Sequence, residues 1–118
     1  IRATMQGDLG KSTVLAAKPA LHETFWRNGI TPAFSRNYRP SLAYRLALVA
    51  QGRFDAMLTL RRSWEWDIAA GALIVAEAGG VCSDQTGLPL RFNNPDPRLN
   101  GVVAGGAPSQ IALIDALA

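Results

Sequence analysis

The amino-acid sequence predicts a layered α/β domain, and three observations carry that expectation. Short apolar runs alternate with helical segments along the chain, the pattern of helices packed on a sheet. No internal repeat, low-complexity tract or linker interrupts the alternation. A length of 118 residues, 48% of them hydrophobic, suits one domain with a single core.

The elements follow in order. Residues 13–17 read as a strand closed by Pro19, 19–27 as a short helix and 33–36 as a second strand. Residues 41–51 form a helix, and 54–60 a strand rich in apolar side chains. After these come a helix at 67–78, a strand at 81–83, a strand at 101–104 and a terminal helix at 109–117. Short apolar strands of this kind fit a sheet covered on its faces. Asp84-Gln85-Thr86-Gly87 is a hairpin-turn signal, and the Pro- and Asn-rich stretch 87–100 reads as a loop with a short edge strand at 90–92.

The helix at 67–78 is the most informative segment. Residues 68–78 comprise nine apolar residues, one Gly and Glu77, so this helix is hydrophobic nearly all round and is expected to be buried between layers. Asp67 stands at its start and Gly79-Gly80 at its end. A carboxylate there can serve as an N-cap, worth about 1 kcal/mol, or hold a divalent cation. The first-turn residues are small, and their N–H groups would favour an anion at close range.

The net charge is +3. Two basic pairs, Arg36 with Arg39 and Arg61 with Arg62, each precede a helix start, an arrangement suited to a phosphate-bearing substrate as well as to a solvated surface. No basic run or recognisable module indicates a nucleic-acid polymer as partner. No uncharged apolar stretch is long enough for a membrane span. Cys82 is alone, which excludes an internal disulfide and favours a reducing cytoplasm. On its strand it reads as an inert thiol. His22 reads as a helix-surface residue without a nucleophile beside it. Gly7-Asp8-Leu9-Gly10-Lys11-Ser12-Thr13 imitates the tail of a P-loop, but Met5 stands where the first Gly belongs and a strand, not a helix, follows. Trp64 and Trp66, two apart, would point to opposite sides of an extended chain, and both are expected to pack in the core.

Trp66-Asp67-Ile68-Ala69-Ala70-Gly71, followed by Glu77-Ala78-Gly79-Gly80, resembles the second signature of the inositol monophosphatase family. These are Mg2+-dependent, lithium-sensitive phosphatases that include the bisphosphate nucleotidases. Ser41, Leu48-Val49-Ala50-Gln51-Gly52, Asp55-Ala56, Val81, Asp84, Gly87 and Val102-Val103-Ala104 extend the likeness over nearly the whole chain, with residues 1–40 the weakest.

The resemblance implies a layered α-β-α sandwich with a mixed sheet, the carboxy-terminal lobe of the sugar-phosphatase-type fold. It implies that Asp67 ligates Mg2+ and contacts substrate, with Ser41 and Leu42 binding substrate through the start of their helix. Pro40 stands where the family usually has Gly. Where inositol-type members carry a carboxylate, Thr59 or Leu60 falls, so Arg61 and Arg62 are expected to meet a second phosphate. A nucleotide 3',5'-bisphosphate is thereby placed slightly ahead of inositol monophosphate. The family's other metal ligands lie in an amino-terminal lobe, in a Glu and an Asp-Pro-x-Asp-Gly-Thr segment, and neither segment occurs here. Residues 1–118, which begin at Ile1, are therefore expected to be one lobe that is inactive alone and partners the missing lobe. A homodimer is compatible with the family, although no interface pattern is visible. The alternative is a non-catalytic α/β module that binds an anion or a protein partner.

Overall fold

Side chains alternate across the central strands, and this alternation divides the core in two. On β1 (Thr13–Leu15), β3 (Ala56–Thr59) and β7 (Val102–Gly106), successive residues face opposite sides of the sheet. Leu15, Met57, Val102 and Ala104 enter one apolar cluster. Val14, Ala56, Leu58 and Val103 enter the other. The computed structural model describes residues 1–118. Its five-stranded sheet has the order β2-β1-β3-β7-β5, with β2 spanning Ser35–Asn37 and β5 Gly80–Ser83. The pairs β1/β2 and β1/β3 are parallel, whereas β7 runs antiparallel to both β3 and β5. The sheet is therefore mixed.

Helices α1 (Leu42–Ala50) and α2 (Ala69–Glu77) cover the first face, where Leu46, Val49, Ile68 and Val75 are fully buried. Helix α3 (Ala107–Ala116) covers the other face together with the segment around Trp26. The result is the expected α-β-α sandwich.

The structure corrects four expectations. The segment 19–27 is not one helix but three single 3-10 turns, at Lys18–Leu21, Glu23–Phe25 and Arg27–Gly29. His22 is extended between the first two, and its Nδ1 accepts from the Thr24 N–H, so it caps the second turn instead of riding a helix surface. Asn28, at φ 58°, breaks the third.

Second, α2 is not buried all round. Ile68, Gly71, Val75 and Ala78 face the core, but Leu73 and Ile74 are 62% and 41% exposed. Third, no edge strand forms at 90–92. Asp84 Oδ1 accepts from the Thr86 and Leu88 N–H groups and tightens the turn, and the extra strand is instead β6 (Arg98–Leu99). It pairs with β4 (Ser63–Trp64) in a separate two-stranded ribbon.

Fourth, Trp64 and Trp66 are not core residues. They stack on each other with ring centroids 4.6 Å apart and planes 10° apart, and they are 43% and 66% exposed. The chain turns from β4 into a 3-10 turn between them, so the alternation of an extended strand does not apply. Lys11 ends a 3-10 turn and β1 follows, so the P-loop imitation has no helix to complete it.

Candidate active site

Three chain segments converge at one end of the sheet: the end of β3, the start of α1 and the 3-10 turn Glu65–Asp67 that precedes α2. Between them lies a cavity of about 500 Å3. Its walls include Tyr38, Ser41, Leu42, Ala43, Arg45, Thr59, Arg61, Arg62, Trp64 and Asp67. All five residues expected at the site, Ser41, Leu42, Arg61, Arg62 and Asp67, therefore meet in one place.

Asp67 does not cap α2. The residue flanking that helix is Ile68, and no side chain caps it. Asp67 is exposed, ends the 3-10 turn and lines the cavity. That leaves the group available to a ligand, which the capping role would not.

At the start of α1, Ser41 adopts φ 70°, a left-handed conformation costly for a residue with a Cβ. Pro40 precedes it with its own φ locked near −65°. The turn into the helix therefore falls on Ser41. Ser41 Oγ accepts from the Tyr44 N–H at 3.3 Å. Leu42 and Ala43 line the cavity, and their N–H groups, in the first turn, have no intrahelical acceptor. They form the kind of positive cradle that binds phosphate oxygens.

The cations divide. Arg62 is held by Asp96 at 2.5 Å, and Asp96 also pairs with Arg98 at 3.1 Å. Those contacts keep the Asp96 carboxyl below the usual carboxylate range, Arg98 contributing most. Arg62 thus reaches the cavity already paired with a carboxylate that it shares with Arg98, whereas Arg61 forms neither ion pair of the molecule. Of the other basic pair, Arg36 donates to the Ala16 carbonyl and Arg39 to the Tyr38 carbonyl. Arg36 is thereby tied to the chain just after β1, whereas the exposed Arg39 hydrogen-bonds only its neighbour. Between Thr59 and Leu60, it is Thr59 that borders the cavity with Asp67.

Glu65 secures the turn that carries Asp67. Its carboxylate accepts from the N–H groups of Asn93 and Asn94 at 2.9 and 3.0 Å and from Asn94 Nδ2 at 2.6 Å. The Asn94 N–H is the largest cause of a carboxyl value below the ordinary range, against an opposing effect of burial. A lowered folded value stabilises the protein above the unfolded value and loses that contribution as pH falls through the folded one. Glu65→Gln is therefore expected to lower the unfolding temperature at neutral pH. Its deficit should begin to shrink below about pH 4, the unfolded carboxyl range, and vanish only once the pH has passed the lowered folded value. Unfolding temperature against pH for both forms is the measurement, and a deficit independent of pH would exclude the carboxylate as the cause.

A hard-cation centre needs several oxygen ligands. Asp67 supplies a donor of the right kind, but no cluster of three or more His, Cys, Asp or Glu side chains exists in the chain. These residues alone do not fit a Mg2+ centre. Cys82 lies on β5, and burial pushes its thiol up to about 12, which makes it a poor nucleophile.

The model of the inositol monophosphatase family matches residues 7–115. This chain belongs to the inositol monophosphatase family. Family relatives include the Nus factor SuhB of Pseudomonas aeruginosa, 62% identical over 42 residues, which are 36% of this chain and 15% of that protein. The inositol-1-monophosphatase of Mesorhizobium japonicum is 42% identical over 82 residues, 65% of this chain and 27% of the relative. A 3'-phosphoadenosine 5'-phosphate phosphatase of Mycobacterium leprae is 47% identical over 51 residues, 43% and 19% of the two chains. A staphylococcal IMPase-II structure shares the fold with a TM-score of 0.80 at 23% identity, covering 98% of this chain and 46% of its own. The chain thus spans less than half the length of the solved family structure it matches.

On the cavity wall, sequence reasoning missed Tyr38 and Arg45. A signal for Arg45 was present: it stands four residues after Ser41, on the same face of α1. No helix of the chain is long and apolar enough to cross a membrane.

Proposed function

We propose that this chain is the carboxy-terminal lobe of a Mg2+-dependent phosphomonoesterase acting on a small organic phosphate, with a nucleotide 3',5'-bisphosphate ahead of inositol monophosphate. The observation that carries the reading is Asp67, which caps no helix and lines the same cavity as the α1 N-terminus and Arg61. The Leu42 and Ala43 N–H groups would hold phosphate oxygens, Arg61 would offset their charge, and Asp67 would give one oxygen to the cation. Held by Asp67 together with oxygen ligands from outside these residues, Mg2+ would supply Lewis acidity toward the phosphate. The remaining oxygen ligands would come from an amino-terminal lobe. The exposed apolar face of α2 at Leu73 and Ile74 supports such a packing partner. Uncharged Thr59 on the cavity wall supports the nucleotide over the polyol. The single thiol supports a cytoplasmic setting.

The test measures phosphate release with Mg2+ from adenosine 3',5'-bisphosphate and from inositol 1-phosphate. The chain alone is expected to show no enzyme-like rate, and the protein extended by its amino-terminal lobe is expected to turn over the nucleotide faster. Turnover by the chain alone would overturn the division of the site. An extended protein inactive on both substrates would favour a non-catalytic anion- or protein-binding module.

A further inference from the structure

Arg45 presents an imbalance that the rest of the molecule does not resolve. It lies on α1, is only 6% exposed, and its Nε is a buried donor without a partner. Neither ion pair of the molecule involves it. Its guanidinium carbon sits 5.4 Å from the centre of the Tyr38 ring, a favourable contact but not a counter-ion. Burial and the positive charge of Arg61 both disfavour its charged form, against an opposing effect of Tyr38. An isolated buried cation is costly, and a guanidinium remains protonated in proteins.

The position of Arg45 indicates what is missing. It lines the cavity that contains Asp67 and also a second cavity of about 220 Å3, which shares Tyr38, Thr59 and Arg61 with the first. That second cavity is walled mainly by apolar side chains, Phe25, Leu58 and Leu60 among them. Arg45 therefore stands at the junction of a polar chamber and an apolar one.

We infer that Arg45, with Arg61 beside it, is the specificity-determining subsite for a second phosphoryl group of the substrate, and that the apolar cavity behind them receives the organic moiety joining the two phosphates. Arg62, expected from the sequence to share this role, is occupied by Asp96. The planar fork of a guanidinium matches phosphate oxygens in a way an ammonium does not. A phosphoryl group there would supply the absent charge to the guanidinium.

This inference rests on the phosphomonoesterase reading, so its test has one arm in catalysis and one outside it. In the extended enzyme, kcat/KM is compared for adenosine 3',5'-bisphosphate and adenosine 3'-monophosphate, which differ by the second phosphate. Arg45→Met keeps much of the side-chain volume and should lower the ratio of the two values about ten- to hundredfold, the worth of a charge-assisted contact. Arg45→Lys should recover part of it. Equal losses on both substrates, or an unchanged ratio in either variant, would overturn the assignment.

The second arm is calorimetric titration of adenosine 5'-monophosphate into the metal-free protein. Binding should weaken by a similar factor in Arg45→Met, and equal affinity in the two forms would overturn the subsite. Should the enzyme hydrolyse neither substrate while this titration still distinguishes the variants, the phosphatase reading fails and the anion subsite stands. Thermal unfolding guards against misfolding: Arg45→Met should be at least as stable as the native protein, because it removes an uncompensated buried charge. A large loss of stability would instead assign Arg45 to the fold.

Discussion

Asp67→Asn in the extended enzyme is expected to abolish most turnover while leaving the unfolding temperature within about a degree of the native value. The structural half of this result follows from what Asp67 does not do: it neither caps α2 nor lies in the core. Surface substitutions of that kind usually change stability by less than about 0.5 kcal/mol. The catalytic half follows from replacing an anionic oxygen ligand with a neutral amide, a poorer donor to a hard cation. Losing an outer partner of a metal ligand typically costs about 10- to 100-fold, and loss of the ligand's charge should exceed that. Steady-state kinetics across a Mg2+ series is the measurement, and the variant should need more Mg2+ for its residual rate. Native activity with native Mg2+ dependence would reduce Asp67 to a surface carboxylate.

The second large effect is expected at Gly71, where α1 and α2 meet. A Cβ at this position would lie 2.6 Å from Leu46 Cδ1 and 2.8 Å from Leu46 Cβ. Leu46 is fully buried in the cluster beneath both helices, so it cannot swing away. Gly within a helix costs roughly 1 kcal/mol relative to Ala, and close helix packing is the compensating gain. Gly71→Val should destabilise the protein by about 1–3 kcal/mol or more, the range for overpacked cores. Because the clash pushes on α1, it should also disturb Ser41 and Arg45 and so raise KM. Gly71→Ala combined with Leu46→Val should cost less than the sum of the single changes, as expected for residues in contact. Denaturant unfolding of the native protein and the four variants decides the matter. Native stability in Gly71→Val, or strict additivity in the pair, would show that the helices are free to separate here.

Much of the architecture was legible along the chain. The apolar runs that became β1, β3 and β7 and the segments that became α1, α2 and α3 follow local propensity and periodicity, which act over a few residues. Asp67 and its family motif are likewise contiguous, so the carboxylate proposed as a metal ligand could be named before any fold existed. Tertiary structure decided whatever depends on residues far apart in sequence. The β4–β6 ribbon joins two-residue strands separated by more than thirty positions, too short for a periodic signal. The Trp64–Trp66 stack arose because the chain left the extended state between them. Arg62 was diverted by Asp96, thirty-four residues away. Composition alone made α2 a buried helix, yet within this chain only one of its faces has something to pack against. Arg45 looked like any arginine on a helix. Its burial and its lack of a counter-ion exist only once Tyr38 and Arg61 close around it, because a desolvated charge is a property of an enclosure and not of a residue type.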